Sequence, residues 1–212
     1  KSGGLLIGGR RYPIRIHAFD CGYDPERALE GAVELVQQHG VKLMMMLGGD
    51  TFMPVREYLM SNKVLTSSLL PTDLSPDTPY LIAPSECHPI QNVTGVEWLA
   101  ANRPDLKTVA LCSQEDLLGL PSQAVYRAAF KAAKKKIVKE VQYNPNAPDA
   151  AAVVQPMLDS GADILCWCSS YAPMVHAMTE YAYAQGYQGQ IISCTMDGYD
   201  QLIENASPEF ME

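Results

Sequence analysis

The residues of this chain best suited to chemistry lie in five short segments. These are Gly48-Gly49-Asp50-Thr51, Ser67-Ser68-Leu69-Leu70, Gln114-Glu115-Asp116-Leu117-Leu118-Gly119, Cys168-Ser169-Ser170-Tyr171 and Thr195-Met196-Asp197-Gly198-Tyr199. Each ends or follows an apolar run. Together they offer hydroxyls, carboxylates, an aromatic ring and glycine-exposed backbone, which hold a small molecule by hydrogen bonding, stacking and charge. Bond-breaking machinery is not visible. The four histidines are scattered at 17, 39, 88 and 176, and no Ser-His-Asp or Cys-His pattern stands out. Gly48-Gly49 follows an apolar strand as a phosphate loop would, but no G-x-x-x-x-G-K-[ST] or G-x-G-x-x-G run is present, so no nucleotide or other cofactor is expected. Cys166 and Cys168 share one face of a strand because side chains alternate with period two. His176 follows closely, yet a second close ligand pair is missing and no metal is expected.

The elements that must position these segments alternate between short strands and helices of three or four turns. That rhythm is the signature of an α/β fold with a parallel sheet covered on both faces. Expected strands are Ile14–Ala18, Val41–Leu47, Val64–Thr66, Tyr80–Ala83, Thr108–Cys112, Ile137–Gln142, Ile164–Cys168 and Gln190–Cys194. Asp24-Pro25-Glu26 caps a helix whose Ala28, Ala32, Leu35 and Val36 share one face. Asp50 or Thr51 caps a helix running to about Met60. Further helices are expected at Gln91–Asn102, Ser122–Lys136, Ala150–Ser160 and Met174–Gln185. Segment 83–91 holds two prolines and no periodicity, and reads as a linker or hinge. In such a fold the strand-end segments converge where open α/β sheets bind ligands. Each also has a plainer structural reading: Asp50, Thr51, Tyr171 and Asp197 as helix caps, and Leu69 and Leu70 as core.

Composition excludes other classes. A chain of 212 residues, 47% hydrophobic and 19% charged, can bury a core for one large domain or two small ones. A net charge of −8 argues against nucleic acid as a partner, since phosphate neutralisation needs clustered Lys and Arg. The one basic run, Lys131–Lys139, reads as a solvated helix face. No apolar stretch is long enough to span a membrane, and no signal-peptide pattern stands at Lys1. The six cysteines, at 21, 87, 112, 166, 168 and 194, mostly fall in apolar runs and are expected reduced and buried. Their number sits better with a reducing compartment than with an exported lobe.

An ordered series of motifs resembles one family. It begins with the glycine-bracketed apolar turn Gly3–Gly9, Arg10 and the alternating run to Asp20, then Asp20-x-x-x-Asp24-Pro25-Glu26-Arg27-Ala28 and the strand-and-glycine run Val41–Gly49. Ala83-Pro84-Ser85 and Thr195-Met196-Asp197-Gly198 follow in order. The series resembles the type I periplasmic solute-binding proteins, the family of the leucine/isoleucine/valine-binding protein. The resemblance implies two Rossmann-like lobes joined by a hinge. The first lobe is 1–84 without its opening βα unit, 85–91 the hinge crossing, 92–195 the second lobe, and 196–212 a return crossing toward further units. It implies an extracytoplasmic or cell-surface protein that captures a small amino-acid-like, amide or aromatic-acid ligand and presents it to an ABC transporter permease without chemistry. A first lobe lacking a strand would also be open to self-association.

By the same resemblance the ligand-binding residues are Asp50, Thr51, Leu69, Leu70, Asp116, Ser170, Tyr171 and Asp197. Tyr171 matches an aromatic laid over the ligand, and Asp197 matches the acid that pairs with a ligand ammonium. Departures from the pattern shape the expectation. Asp50 would repel a ligand carboxylate, and Leu69 and Leu70 replace hydroxyl residues, so a plain aliphatic amino acid is disfavoured. The fold also serves sensors, and the alternative reading is a cytosolic flavodoxin-like α/β enzyme or small-molecule sensor.

Overall fold

The computed structural model describes residues 4–70, 76–82 and 88–193. Two compact units divide them: the first runs through Ser68 and resumes at 76–82, and the second carries 88–193.

The first unit opens with a hairpin. Strands β1 (Leu5–Ile7) and β2 (Arg10–Tyr12) pair antiparallel, with Leu5 opposite Tyr12 and Ile7 opposite Arg10. The two-residue turn Gly8-Gly9 has φ of 55° and 80°, the left-handed pair that a tight hairpin needs and that only glycine adopts without strain. Helix α1 (Pro25–Gln37) follows as expected. The Asp24 carboxylate accepts from the Arg27 N–H at 2.9 Å, and Pro25 occupies the first turn, where its missing N–H matters least. Strands β3 (Leu43–Gly48), β4 (Leu65–Leu70) and β5 (Leu81–Ile82) form a sheet in that order, with β4 and β5 parallel. Ala28 and Ala32 of α1 pack with Met44, Phe52, Val55, Leu59, Val64 and Leu81 to make its core.

Three expectations change here. Ile14–Ala18 forms no strand, and Ile14 and Ile16 are 59% and 85% exposed. Alternation favours extended backbone, but a strand exists only where a neighbour completes its ladder, and none of the described strands does so. The segment is instead held by Phe19, whose ring lies where any side chain on Gly31 would fall, and by His17 stacked on His39 at 4.0 Å. Second, the helix expected from Asp50 or Thr51 is replaced by a 3-10 turn, Gly49–Thr51, and a short helix α2 (Arg56–Ser61). Pro54 disfavours helical backbone at Met53, and the helix starts only beyond it. Third, β3 is covered on one face among the described residues: Met44 is buried while Leu43, Met45 and Leu47 are exposed.

The second unit has four parallel strands, β6 (Thr108–Gln114), β7 (Lys136–Tyr143), β8 (Ile164–Cys168) and β9 (Gln190–Ser193), in the order β7-β6-β8-β9. Period-two alternation splits β6 and β8 between two cores. Ala110, Cys112, Leu165 and Trp167 face α5 (Ala150–Leu158) and α6 (Ala172–Ala184). Val109, Leu111, Ile164, Cys166 and Cys168 face α3 (His88–Asn102) and α4 (Gly119–Ala132). This is the two-sided parallel sheet that the sequence predicts. Because α3 begins at His88, the last four residues of the expected linker are the first turn of a helix. Cys21, Cys112, Cys166 and Cys168 are free thiols, and all but Cys21 are buried.

The amino edge of this sheet is tied by one carboxylate. Asp163 Oδ2 accepts from the Lys107 N–H at 2.7 Å, the Thr108 N–H at 2.9 Å and the Thr108 hydroxyl at 2.9 Å, joining the starts of β6 and β8. The two backbone donors, then the hydroxyl, hold its carboxyl below the ordinary carboxylate range. Its contribution to stability is therefore complete above a pH of about 4, where the unfolded carboxyl is also ionised, and disappears as acid titrates the folded group. Asp163→Ala is expected to lower stability by roughly 1.5–3 kcal/mol at neutral pH, the scale of hydrogen bonds to a charged group. Urea unfolding at pH 7 and pH 3 checks this, since the gap between variant and parent should narrow at pH 3.

Candidate functional site

Strand order makes one place in the second unit special. From β6 the chain moves to β7 on one side, then returns past β6 to β8 and on to β9. The helix after β6 and the helix after β8 consequently cover opposite faces, α4 in one core and α6 in the other. The carboxyl ends of β6 and β8 therefore form the sheet's topological switch point, the position at which open α/β sheets receive ligands.

Both strand ends lead into polar residues. Gln114, the last residue of β6, is only 4% exposed, and every polar atom of its carboxamide is engaged. Its Nε2 donates to Asp116 Oδ2 at 2.5 Å, and its Oε1 accepts from the Tyr171 N–H at 3.2 Å and, at a longer 3.4 Å, from the Tyr143 hydroxyl. Asp116 spends its other oxygen on the Leu118 N–H at 3.0 Å and the Gly119 N–H at 2.8 Å, satisfying the opening of α4. Ser169, with φ of 45°, is a non-glycine residue in left-handed backbone, a conformation that turns the chain sharply off β8. It delivers Ser170 into the buried layer and Tyr171 to the rim. The Ser170 side chain lies in the same buried layer as the Cys112 thiol and the Tyr143 phenol. Burial raises both the Cys112 thiol and the Tyr143 phenol well above their ordinary values, with Ser170 opposing, so the phenol stays protonated and able to donate.

Tyr171 is the exposed member. It stands at the N-cap of α6 in extended backbone, makes no side-chain capping bond, and is 39% exposed. The edge thus offers an aromatic ring on a fixed backbone, with hydroxyls and amides behind it. An aromatic side chain so exposed is chemically able to stack on a planar molecule. Among the described residues no group of three or more His, Cys, Asp or Glu could hold a metal ion, and no helix is long and apolar enough to cross a membrane.

The sequence candidates distribute as follows. Asp116, Ser170 and Tyr171 come together around Gln114. Asp116 is 8% exposed and, with both oxygens bound within its own turn, acts on the loop's shape. Asp50 and Thr51 lie in the first unit, in the 3-10 turn at the carboxyl end of β3. There the Thr51 hydroxyl donates back to the Gly48 carbonyl at 2.8 Å instead of capping a helix. Leu69 and Leu70 end β4, with side chains outside the described residues, and Asp197 lies outside them altogether. Sequence reasoning missed Gln114 and Tyr143 as site residues. The available signal was positional, since each is the last residue of its strand.

The family model described as periplasmic binding protein matches residues 1–212. A search of curated proteins finds no match. Among solved structures, the solute binding protein of an ABC transporter from Rhodopseudomonas palustris BisB5, in complex with 3,4-dihydroxybenzoic acid, is 20% identical. It aligns over 87% of this chain and 51% of its own with a TM-score of 0.77. An R. palustris solute binding protein in complex with 4-hydroxybenzoate is 20% identical over 80% of this chain and 47% of its own, TM-score 0.73. A fatty acid ABC transporter substrate-binding protein from Thermomonospora curvata is 19% identical over 90% and 48%, TM-score 0.76. The chain spans about half the length of these structures, and at such identities the likeness is one of fold. With the family model matched from end to end and the motif series in order, this chain belongs to the periplasmic binding protein family.

Proposed function

We propose that this protein is the extracytoplasmic solute-binding component of an ABC importer, periplasmic or held at the cell surface, whose partners are a small ligand and a transporter permease. The ligand class is amino-acid-like, amide or aromatic acid, with an aromatic acid favoured. The observation that carries this reading is Tyr171, a half-exposed residue whose backbone N–H is held by Gln114 at the sheet's switch point. An aromatic acid gains there from ring stacking, worth about 0.5–1.5 kcal/mol beyond buried area. Two of the similar structures are complexes with hydroxylated benzoic acids, which supports the same choice. The buried thiols Cys112, Cys166 and Cys168 do not oppose an oxidising location, because each is shielded from oxidants. Asp50, Thr51, Leu69 and Leu70 remain proposed contacts on sequence grounds, and Asp197 a proposed partner for a ligand amine.

Calorimetric titration of the full gene product with 4-hydroxybenzoate, L-phenylalanine, L-leucine and butyramide tests the proposal. Binding of at least one aromatic acid is expected, and Tyr171→Ala should weaken it at least tenfold, about 1.4 kcal/mol, with little change in the stability of the free protein. No heat with any of the four, or equal affinity in the variant, would sink the assignment.

A further inference from the structure

We infer that Gln114 is the positioning residue of this binding edge: its carboxamide ties the ends of β6, β7 and β8 together, so that the Tyr171 ring is aimed before any ligand arrives. The inference rests on the reading that Tyr171 faces the ligand, and it concerns a residue that need not touch the ligand.

The case is one of donors and acceptors. Tyr171 has no side-chain cap bond, and its N–H is met by Gln114 Oε1 at 3.2 Å. Tyr143, at the end of β7, directs its buried hydroxyl to the same oxygen. Asp116 places a buried carboxylate oxygen 2.5 Å from Gln114 Nε2, and its second oxygen holds the opening of α4. One side chain must therefore donate toward Asp116 while accepting from both Tyr143 and Tyr171. Among side chains of this length only a primary amide does both at every pH. Leucine would leave a carboxylate, a phenol and a backbone N–H without their partner in a buried layer. A carboxyl group is the informative replacement. Ionised, it would set two negative charges in contact; protonated, its O–H could stand in for the amide N–H. The ionisable side chains that hydrogen-bond Gln114 are Asp116 and Tyr143, with Cys112 and Tyr171 acting on the Tyr143 phenol beside it, and among the described residues no Lys, Arg or His is a hydrogen-bond partner of this group. Two carboxyls in contact share a proton, and the pair holds it to higher pH than either alone.

The experiment compares wild type, Gln114→Glu and a control, Val109→Ala, which removes core volume from the other end of β6 without touching the network. Two quantities are read at pH 8 and pH 5: the hydrogen-exchange protection factor of the Tyr171 amide, and the affinity for 4-hydroxybenzoate. In Gln114→Glu at pH 8 the Tyr171 protection factor is expected to fall at least tenfold relative to wild type, and affinity to fall at least tenfold. Both should return to within about threefold of wild type at pH 5. Val109→Ala should show neither a selective loss at Tyr171 nor the recovery. Unchanged Tyr171 protection in Gln114→Glu at pH 8 overturns the inference, whatever the ligand does. Lost protection with unchanged affinity overturns the role in binding. Should wild type itself bind no 4-hydroxybenzoate, that choice of ligand fails, and the exchange measurement still decides whether Gln114 positions Tyr171.

Discussion

Trp167→Ala is expected to destabilise the second unit by about 3–5 kcal/mol, the range for truncating a large buried aromatic. Trp167 is wholly buried in β8, between Cys112 of β6 and Ser193 of β9 in the ladder. Its indole N–H donates to the Thr179 hydroxyl at 2.9 Å, and that hydroxyl in turn donates to the Val175 carbonyl at 2.7 Å, so the ring anchors α6 to the sheet. Alanine would leave a cavity among Val154, Met157, Met174 and Met178 that close-packed neighbours fill only in part. A loss of this size approaches the whole stability of an ordinary domain, about 5–15 kcal/mol. Urea unfolding followed by circular dichroism measures it, with Trp98→Ala as the control. Trp98 is 58% exposed on α3, and its loss should change stability by no more than about 0.5 kcal/mol. A midpoint shift in the Trp98 variant as large as that in the Trp167 variant would contradict the packing described here.

Gly119→Ala is expected to destabilise by about 1–3 kcal/mol or more and to disturb the proposed binding edge directly. A Cβ at this position would lie 2.1 Å from the Gln114 carbonyl oxygen and 2.8 Å from the Gln114 nitrogen. The obstruction is main chain paired at the end of a ladder, which cannot swing aside as a flexible side chain would. The reason for the close approach is Asp116, which pulls the Gly119 N–H to 2.8 Å and folds the turn back over the end of β6. Thermal unfolding gives the stability change. Hydrogen exchange at Leu118 and Gly119 gives the local effect, since their amides donate to Asp116 Oδ1 and should lose protection. Gly161→Ala serves as the comparison, because nothing lies within 4 Å of an added Cβ there, so any cost comes from its left-handed φ of 66° alone. A Gly119 variant no less stable than wild type would show that the turn is not packed as described.

The two units differ in how legible they were, and particular elements show why. Strand β8 was readable to the residue, Ile164–Cys168, because Ile-Leu-Cys-Trp-Cys is buried on both faces between two turns. Helix α1 was readable from Asp24-Pro25, whose cap chemistry is local. Ile14–Ala18 failed for the opposite reason: its alternation is as clear, but a strand is a relation between two segments, and its partner cannot be read from its own residues. The helix after β3 failed because Pro54 acts on the conformation of the residue before it, which outweighed two plausible caps.

The site divides along the same line. The sequence by itself determined the α/β class, the family, and the segments Cys168–Tyr171 and Gln114–Gly119 as strand-end loops, because periodicity, caps and glycines are properties of neighbouring residues. Only the tertiary structure decided which of their residues face outward and which serve the others. Asp116 was expected as a ligand contact and is consumed by its own turn, whereas Gln114, named in the same segment but not among the expected contacts, holds Asp116, Tyr143 and Tyr171 from three strand ends. A hydrogen bond between residues 57 apart is written nowhere in local spacing. It follows from the strand order β7-β6-β8, which brings those ends within reach of one carboxamide.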